Sequence, residues 1–332
     1  MNYKKLLFDG GGVSQEEKIS IETIEKANQP IQFDGNFGLE RKFGEKGDQQ
    51  HYGLVILFEE EGLWHEIKYE LSVTYLGLNE EQNFLWQLDR TSPVYINEVI
   101  PELLADKLAY EAGKIFYPLI VETKRDGKFL GVKNCNEIRK RWTKVRVDIE
   151  NYFEGTYAAK YIHLMDERLM EDNFIQICFR EDWFIQTYFQ SIYKNYNAQL
   201  NLEEQLVFPN LDPMALGYKT VESVNPRTNH FGALQLQHQG ILEQDEINLA
   251  TGGYQAKYIL SPVSKAIQMI IAEWWVKEIT EKKVTLKLFT TDKLSNEKLP
   301  TNIAAASIEN LVFLDGNKTN KSEKGFWGNW FK

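Results

Sequence analysis

A strict alternation of side chains in the first third of the chain is the sequence feature that most constrains the fold. Apolar or aromatic residues and one histidine occupy every second position here: Leu63, His65, Ile67, Tyr69, Leu71, Val73 and Tyr75. A period of two is typical of a β-strand that buries one of its faces. An apolar run precedes this stretch, and the two are separated by a turn at residues 60–62. Residues 52–91 are therefore predicted to form strands.

Strand patterns return in the second half of the chain, over residues 204–291, where apolar and polar residues again alternate. One segment of this region also fits the period of a helix. Its apolar residues recur at helical as well as strand spacing: Ala266, Ile267, Ile270, Ile271, Trp274 and Trp275. Because the segments before and after it alternate like strands, we favour a strand here too.

The middle of the chain has the period of helices. A helix is predicted over 97–113, and a hairpin over 115–134 with its turn at Asp126 and Gly127. Residues 136–193 are then predicted to hold three to four amphipathic helices, and the third of them is predicted to be one continuous helix over 172–193. The first carries an apolar stripe at helical spacing: Ile138, Trp142, Val145, Ile149, Tyr152 and Phe153.

The order of these segments predicts an α+β fold, with antiparallel β-sheet regions before and after a central block of three to four amphipathic helices. The two strand regions form either halves of one curved sheet or two small subdomains. The predicted organisation has three parts: a loop-rich segment with a short strand at 19–24 (1–50), an α+β body (51–314), and a polar tether with an aromatic tip (315–332).

Composition and charge exclude several classes of function. The 332-residue chain has a formal net charge of −10, which repels nucleic-acid backbones. Its two cysteines, Cys135 and Cys178, lack the spacing of a metal site, and no glycine-rich nucleotide motif occurs. No apolar run is long enough for a signal peptide or a membrane span. We therefore expect a cytoplasmic protein without metal, cofactor, nucleic-acid partner or integral membrane association.

The sequence carries no catalytic motif. No nucleophile elbow occurs, and the five histidines show none of the pair spacings of metal-binding motifs. A hydrolase or transferase would have to assemble its site from distant residues, with His65, His163 or His238 beside a carboxylate. A deep polar pocket around such a pair would favour that alternative.

The C-terminal residues give the one specific pointer to a partner. Four large aromatics, Phe326, Trp327, Trp330 and Phe331, follow a polar stretch without large apolar residues. Exposed aromatic clusters drive association, and tryptophan is a preferred anchor at interfaces. The tip docks on the protein's own surface, on another protein or on a membrane surface. We identify these four residues as the candidate partner-binding site.

Together these features favour a non-enzymatic, cytoplasmic protein-interaction module, such as an adaptor, a cargo chaperone or an immunity-type binder. Its partner would be another protein. One alternative is an α+β protein that binds a small ligand or a lipid, which a cavity of several hundred Å³ would favour, on the order of known ligand pockets. The other alternative is the hydrolase or transferase described above.

Overall fold

An antiparallel β-sheet is the framework on which the rest of the protein is built. The computed structural model describes residues 27–209, 216–243 and 250–291. These residues form one sheet of twelve strands. In chain order the strands are β1 (Gln49–Glu60), β2 (Leu63–Leu78), β3 (Phe84–Arg90), β4 (Tyr95–Ile96), β5 (Leu119–Thr123), β6 (Phe129–Val132), β7 (Asn201–Phe208), β8 (Leu216–Val224), β9 (Leu234–Leu242), β10 (Thr251–Leu260), β11 (Ile267–Lys277) and β12 (Glu281–Thr290).

The strand order shows how the two strand regions of the sequence are joined. Across the sheet it is β6-β5-β3-β2-β1-β12-β11-β10-β9-β8-β7, and the short β4 pairs with β2. The first and last strands of the described residues, β1 and β12, are neighbours in the middle of the sheet. Tyr52 lies opposite Thr290, and Glu60 opposite Lys282. Strands from both ends of the described chain therefore form a single sheet.

The β1–β2 hairpin shows why the sequence folds this way locally. Two residues join the strands, and both have a left-handed backbone conformation, with φ of 52° at Glu61 and 77° at Gly62. Two such residues in succession make the type of tight turn whose twist matches that of the flanking strands. Glycine adopts this conformation without strain. The turn thus fixes the register in which the alternating residues of β2 meet β1.

Five α-helices lie between β4 and β7 in the described residues: α1 (Leu104–Gly113), α2 (Cys135–Tyr152), α3 (Thr156–Met170), α4 (Phe174–Arg180) and α5 (Trp183–Tyr188). The shortest of them, α5, is buried against the middle of the sheet. Its Tyr188 hydroxyl lies 3.2 Å from the Tyr52 hydroxyl of β1. The Tyr258 hydroxyl of β10 donates a hydrogen bond to the Thr187 carbonyl. The core therefore lies between this sheet face and the helices.

The predicted fold class is wrong in its arrangement. We expected sheet regions before and after a central block of helices, whereas one large antiparallel sheet dominates and the helices pack against it. The antiparallel sheet itself is confirmed. The error arises because local periodicity identifies strands but does not say which strands pair. The β1–β12 contact joins segments more than 200 residues apart.

Two helix boundaries also differ from those predicted. The predicted helix over 97–113 begins only at Leu104, because Asn97 and Glu98 form a turn with positive φ. The predicted continuous helix over 172–193 is two helices, α4 and α5. They are separated at Asp182, whose side chain accepts a hydrogen bond from the Ile185 N–H (2.8 Å) and so caps α5.

Two glycines in the strands lie directly beneath aromatic rings of the neighbouring strand. Gly53 of β1 faces Phe289 of β12, and Gly253 of β10 faces Trp275 of β11. A Cβ atom at Gly53 would lie 2.6 Å from the Phe289 ring, and one at Gly253 would lie 2.7 Å from the Trp275 indole nitrogen. The missing side chains therefore let the rings pack flat on the sheet.

Parts of the prediction fall outside the described residues. These are the short strand at 19–24, the tether and the aromatic tip. Within the described ranges, none of the helices has the length and apolar character needed to cross a bilayer.

Candidate functional site

The predicted site residues and histidines do not meet in one place. Phe326, Trp327, Trp330 and Phe331 lie outside the described residues, so their role stays a prediction. His65 is partly buried within β2. His163 is exposed on α3, with its Nε2 atom 3.2 Å from Glu167 Oε1. Only His238 lies in a buried polar cluster, which is described below.

The two edge strands of the sheet differ, because a side chain covers the outer main-chain groups of one of them. β6 forms the first edge, and the Gln176 side chain of α4 covers it. The amide Oε1 of Gln176 accepts a hydrogen bond from Val132 N–H (2.8 Å), and its Nε2 donates to the Val132 carbonyl (2.7 Å). This side chain therefore occupies the main-chain groups that another strand would use, a known way to protect a sheet edge.

The other edge, β7, is open in the part of the chain that the structure describes. Its register with β8 is regular, with Asn201 opposite Ser223 and Phe208 opposite Leu216. Val224 N–H donates to the Leu200 carbonyl at the start of this ladder. Because bonded and non-bonded pairs alternate in an antiparallel ladder, the even-numbered residues of β7 bond to β8.

The odd-numbered residues of β7 consequently point their main-chain groups away from the sheet. The Asn201 N–H is satisfied locally, because it donates to the Asn197 side chain (3.2 Å). At Glu203, Gln205 and Val207, both the N–H and the C=O face outward, and no described strand pairs with them. Unpaired main-chain groups of this kind are a template for an added strand.

The side chains of β7 alternate between the core and solvent. Leu206 and Phe208 are buried, whereas Glu203, Gln205 and Val207 are exposed, Val207 to 52%. The Gln205 amide donates to the Glu243 carboxylate beyond β9. The Leu206 and Phe208 side chains anchor the strand, so its outer edge is held in place for pairing.

A buried charge cluster supports β7 from behind. The ammonium of Lys194, which follows α5, lies 2.6 Å from Glu204 Oε1 of β7 and 2.9 Å from Glu222 Oε2 of β8. The Glu204 side chain is 34% exposed, whereas that of Glu222 is 2% exposed. Lys194 therefore ties the edge strand to the next strand and to the helical layer.

Burial dominates the protonation of this cluster. It raises the pKa of Glu222 to about 7, and the nearby Lys194 ammonium offsets only part of the rise. On the neighbouring strand, burial together with the Lys194 charge lowers the pKa of His238 to about 3, so this imidazole is neutral at physiological pH. Its Nδ1 lies 3.2 Å from the Tyr254 hydroxyl.

The hydrolase or transferase alternative requires a histidine beside a carboxylate, and His238 and Glu222 lie close together here, but a substrate cannot reach them. His238 Nε2 lies 3.9 Å from Glu222 Oε2, which is beyond direct hydrogen bonding. Each of the two residues is only 1% exposed, so a substrate has no access without opening of the core. The arrangement fits a supporting role. Among the described residues, no cluster of three or more His, Cys, Asp or Glu side chains is placed to hold a metal.

Sequence reasoning identified a strand at β7 but missed its position at the edge. Edge position depends on which strands pair, and that information is not local. One signal was present in the sequence, because Glu203 and Glu204 stand side by side within an otherwise strand-like segment. Charged residues in a strand are typical of sheet edges.

Comparison with known proteins provides little further information. No family model matches the chain, and no curated protein matches it. Among solved structures, it is similar to a DUF1329 family protein from Desulfovibrio piger ATCC 29098, at 9% sequence identity. The match covers 77% of this chain and 91% of the other, with a TM-score of 0.22. A TM-score that low does not inform the fold or the function.

Proposed function

We propose that this protein is a non-enzymatic protein-interaction module that binds an extended segment of another protein by pairing it with the outer edge of β7. The observation that carries the proposal is the outward-facing main chain of Glu203, Gln205 and Val207. Strand addition is a common way to recognise extended peptides, since main-chain hydrogen bonds supply affinity and side chains supply specificity. The contrast with the covered β6 edge supports it.

The charges at this edge favour a basic partner segment. The acidic residue that β7 turns to solvent is Glu203, since Glu204 is paired with Lys194, and the whole chain has a net charge of −10. In a register that sets Glu203 opposite Glu203, pairing with a second copy of β7 would be destabilised, because like charges in opposed positions repel. A segment that alternates lysine or arginine with apolar residues avoids this repulsion.

The hydrogen bonds alone set a modest affinity. Three residues with two outward groups each can form roughly six bonds, at about 1 kcal/mol net for each bond. That sum of roughly 6 kcal/mol is below the 8.2 kcal/mol of a micromolar complex, before any cost of ordering the peptide. Side-chain contacts, for example with Val207, must therefore contribute to a stable complex.

A labelled peptide tests the proposal directly. The probe is an eight-residue, capped peptide that alternates lysine and valine, and binding is followed by fluorescence anisotropy. Two variants separate charge from main-chain pairing. Glu203→Thr removes the carboxylate but keeps the outward N–H, whereas Glu203→Pro removes both. Because the residue 203 N–H does not bond to β8, proline is tolerated there.

We expect Glu203→Thr to weaken binding slightly and Glu203→Pro to weaken it about tenfold beyond that, the effect of about 1.4 kcal/mol. In the new ladder, the lysines of the peptide lie opposite Glu203 and Gln205, so the lysine N–H groups are the ones that bond to β7. A peptide of the same sequence with methylated lysine main-chain nitrogens keeps its charge but loses these donors, and it should bind weakly to all forms. Equal affinity of the proline and threonine variants, or of the methylated peptide, would overturn the proposal. Circular dichroism checks that the variants are folded.

The aromatic tip is a second proposed contact. Phe326, Trp327, Trp330 and Phe331 would anchor the same partner after the strand has paired. A chain ending at Asp315 should bind the short lysine–valine peptide as the full chain does, because that peptide engages β7 alone. Loss of peptide binding on truncation would show that the tip acts at the β7 edge itself.

A further inference from the structure

A cleft lies at the opposite end of the sheet from β7, between β6 and α4. Its volume is about 380 Å³, at the lower end of the range of small-molecule sites. The side chains that line it come from β5, β6, α4 and the positions beside them: Glu122, Leu130, Lys133, Asn173, Ile177 and Arg180. Gly131 permits the close approach of α4, since a Cβ there would lie 2.9 Å from Gln176 Oε1.

The carboxylate of Glu122, the one acidic residue that lines this cleft, already has hydrogen-bond and ion-pair partners. Glu122 Oε1 accepts a hydrogen bond from Asn83 (2.9 Å), and Oε2 lies 3.1 Å from the Lys133 ammonium. Burial alone would raise the pKa of Glu122, but the hydrogen bonds from Asn83 and Lys133 outweigh it and lower the pKa. The Glu122 carboxylate is thus ionised and its charge is neutralised locally.

The remaining polar groups of the cleft are mainly donors. Arg180 is exposed and has no acidic partner among the residues that the structure describes. The Asn173 side chain is also exposed, and Lys133 is half exposed, with donors to spare beyond its contact with Glu122. The Gln176 amide, in contrast, is used on Val132. A donor-rich cleft favours a ligand group that only accepts hydrogen bonds.

The walls of the cleft are apolar. Leu130 of β6 is 40% exposed and Ile177 of α4 is 42% exposed, and both line the same space. From the free guanidinium and these two aliphatic side chains, we infer that the cleft binds a small aliphatic carboxylate. The ligand carboxylate would accept two parallel bonds from Arg180, the geometry for which a guanidinium is suited. Its alkyl group would lie between Leu130 and Ile177.

The test uses 3-methylbutanoate as the probe and the full chain labelled with ¹⁵N. Amide shifts are followed in a titration against this carboxylate, its neutral amide and inorganic phosphate. We expect a dissociation constant near 1 mM, on the order of what a ligand of seven non-hydrogen atoms can reach.

We expect saturable shifts at Leu130–Lys133 and on α4 with the carboxylate, and at least tenfold weaker binding of the amide. Arg180→Gln should weaken carboxylate binding at least tenfold. The matched control is Arg168→Gln, an exposed arginine of α3 that pairs with Glu171 outside the cleft. It removes the same charge and should leave the affinity unchanged.

Several results would overturn the assignment. They are equal binding of the amide, phosphate binding as tight as that of the carboxylate, or an equal loss in Arg168→Gln and Arg180→Gln. The outcome is separable from that at β7, because Glu203→Pro should leave carboxylate binding unchanged.

Discussion

Glu222 offers a sharp test of how burial and charge balance behind the edge strand. The perturbation is Glu222→Gln, which keeps the shape of the side chain but removes its titration. In the folded protein its pKa is about 7, against an ordinary value of 4.5. A raised carboxyl pKa means that the folded state holds its proton more tightly than the unfolded state. The contribution of Glu222 to stability is therefore fully present below pH 4.5 and is lost as pH rises through 7.

The magnitude follows from the size of the shift. Two and a half pKa units at 1.36 kcal/mol each give a loss of about 3 kcal/mol between pH 4.5 and pH 7. His238 acts in the opposite sense. Its pKa falls from 6.5 to about 3, so its contribution is present above pH 6.5 and is lost as pH falls through 3. The two slopes nearly cancel in the natural protein between pH 4.5 and 6.5.

The contribution of His238 cancels when the free energy of unfolding of the natural protein is subtracted from that of the variant at each pH. Urea unfolding, followed by tryptophan fluorescence from pH 4.5 to 8, gives the free energy of unfolding of each. Relative to the natural protein, Glu222→Gln should gain about 3 kcal/mol in stability across that range. If the difference in free energy of unfolding did not change with pH, the reasoning would be refuted. That result would mean that Lys194 keeps Glu222 ionised throughout and that burial does not dominate its pKa.

Two further predictions concern the sheet. Gly53→Ala should destabilise the fold by about 1–3 kcal/mol, because the added Cβ forces the Phe289 ring off the sheet. The control is Gly113→Ala at the end of α1, where a Cβ meets open space, and it should not destabilise the fold. Thermal unfolding compares the two variants. Gln176→Leu should lower the free energy of unfolding by about 1–3 kcal/mol and expose the edge of β6. Size-exclusion chromatography of this variant should then show association that rises with protein concentration. A monomer at all concentrations would contradict the protective role of Gln176.

The alternation in β2 and a turn at residues 60–62 before it were readable from the sequence because both depend on neighbouring residues. The strand at Ile267–Lys277 was predicted from the segments around it, although its own pattern also fitted a helix. The pairing of β1 with β12 could not be predicted, since nothing local to either strand specifies a partner so distant in the chain. This pairing is what makes one sheet of the two strand regions.

The candidate site was less accessible to prediction than the fold. Asp182 looked like part of a continuous helix, because its neighbours have helical spacing, and only the cap it forms on Ile185 reveals the break. His238 was identified as a candidate, but its burial beside Glu222 depends on the packing of three strands and Lys194. The open edge of β7 follows from strand order alone. The aromatic tip stays a prediction.

Amide hydrogen exchange on β7 tests the central claim most directly. The N–H groups of Leu202, Glu204 and Leu206 bond to β8, so they should be protected in the free protein. Those of Glu203, Gln205 and Val207 should exchange fast when the protein is free and become protected when the lysine–valine peptide binds. Protection that alternates along the strand in this way would establish strand pairing at this edge. Unchanged exchange at all three residues, under conditions where the peptide is bound, would contradict it.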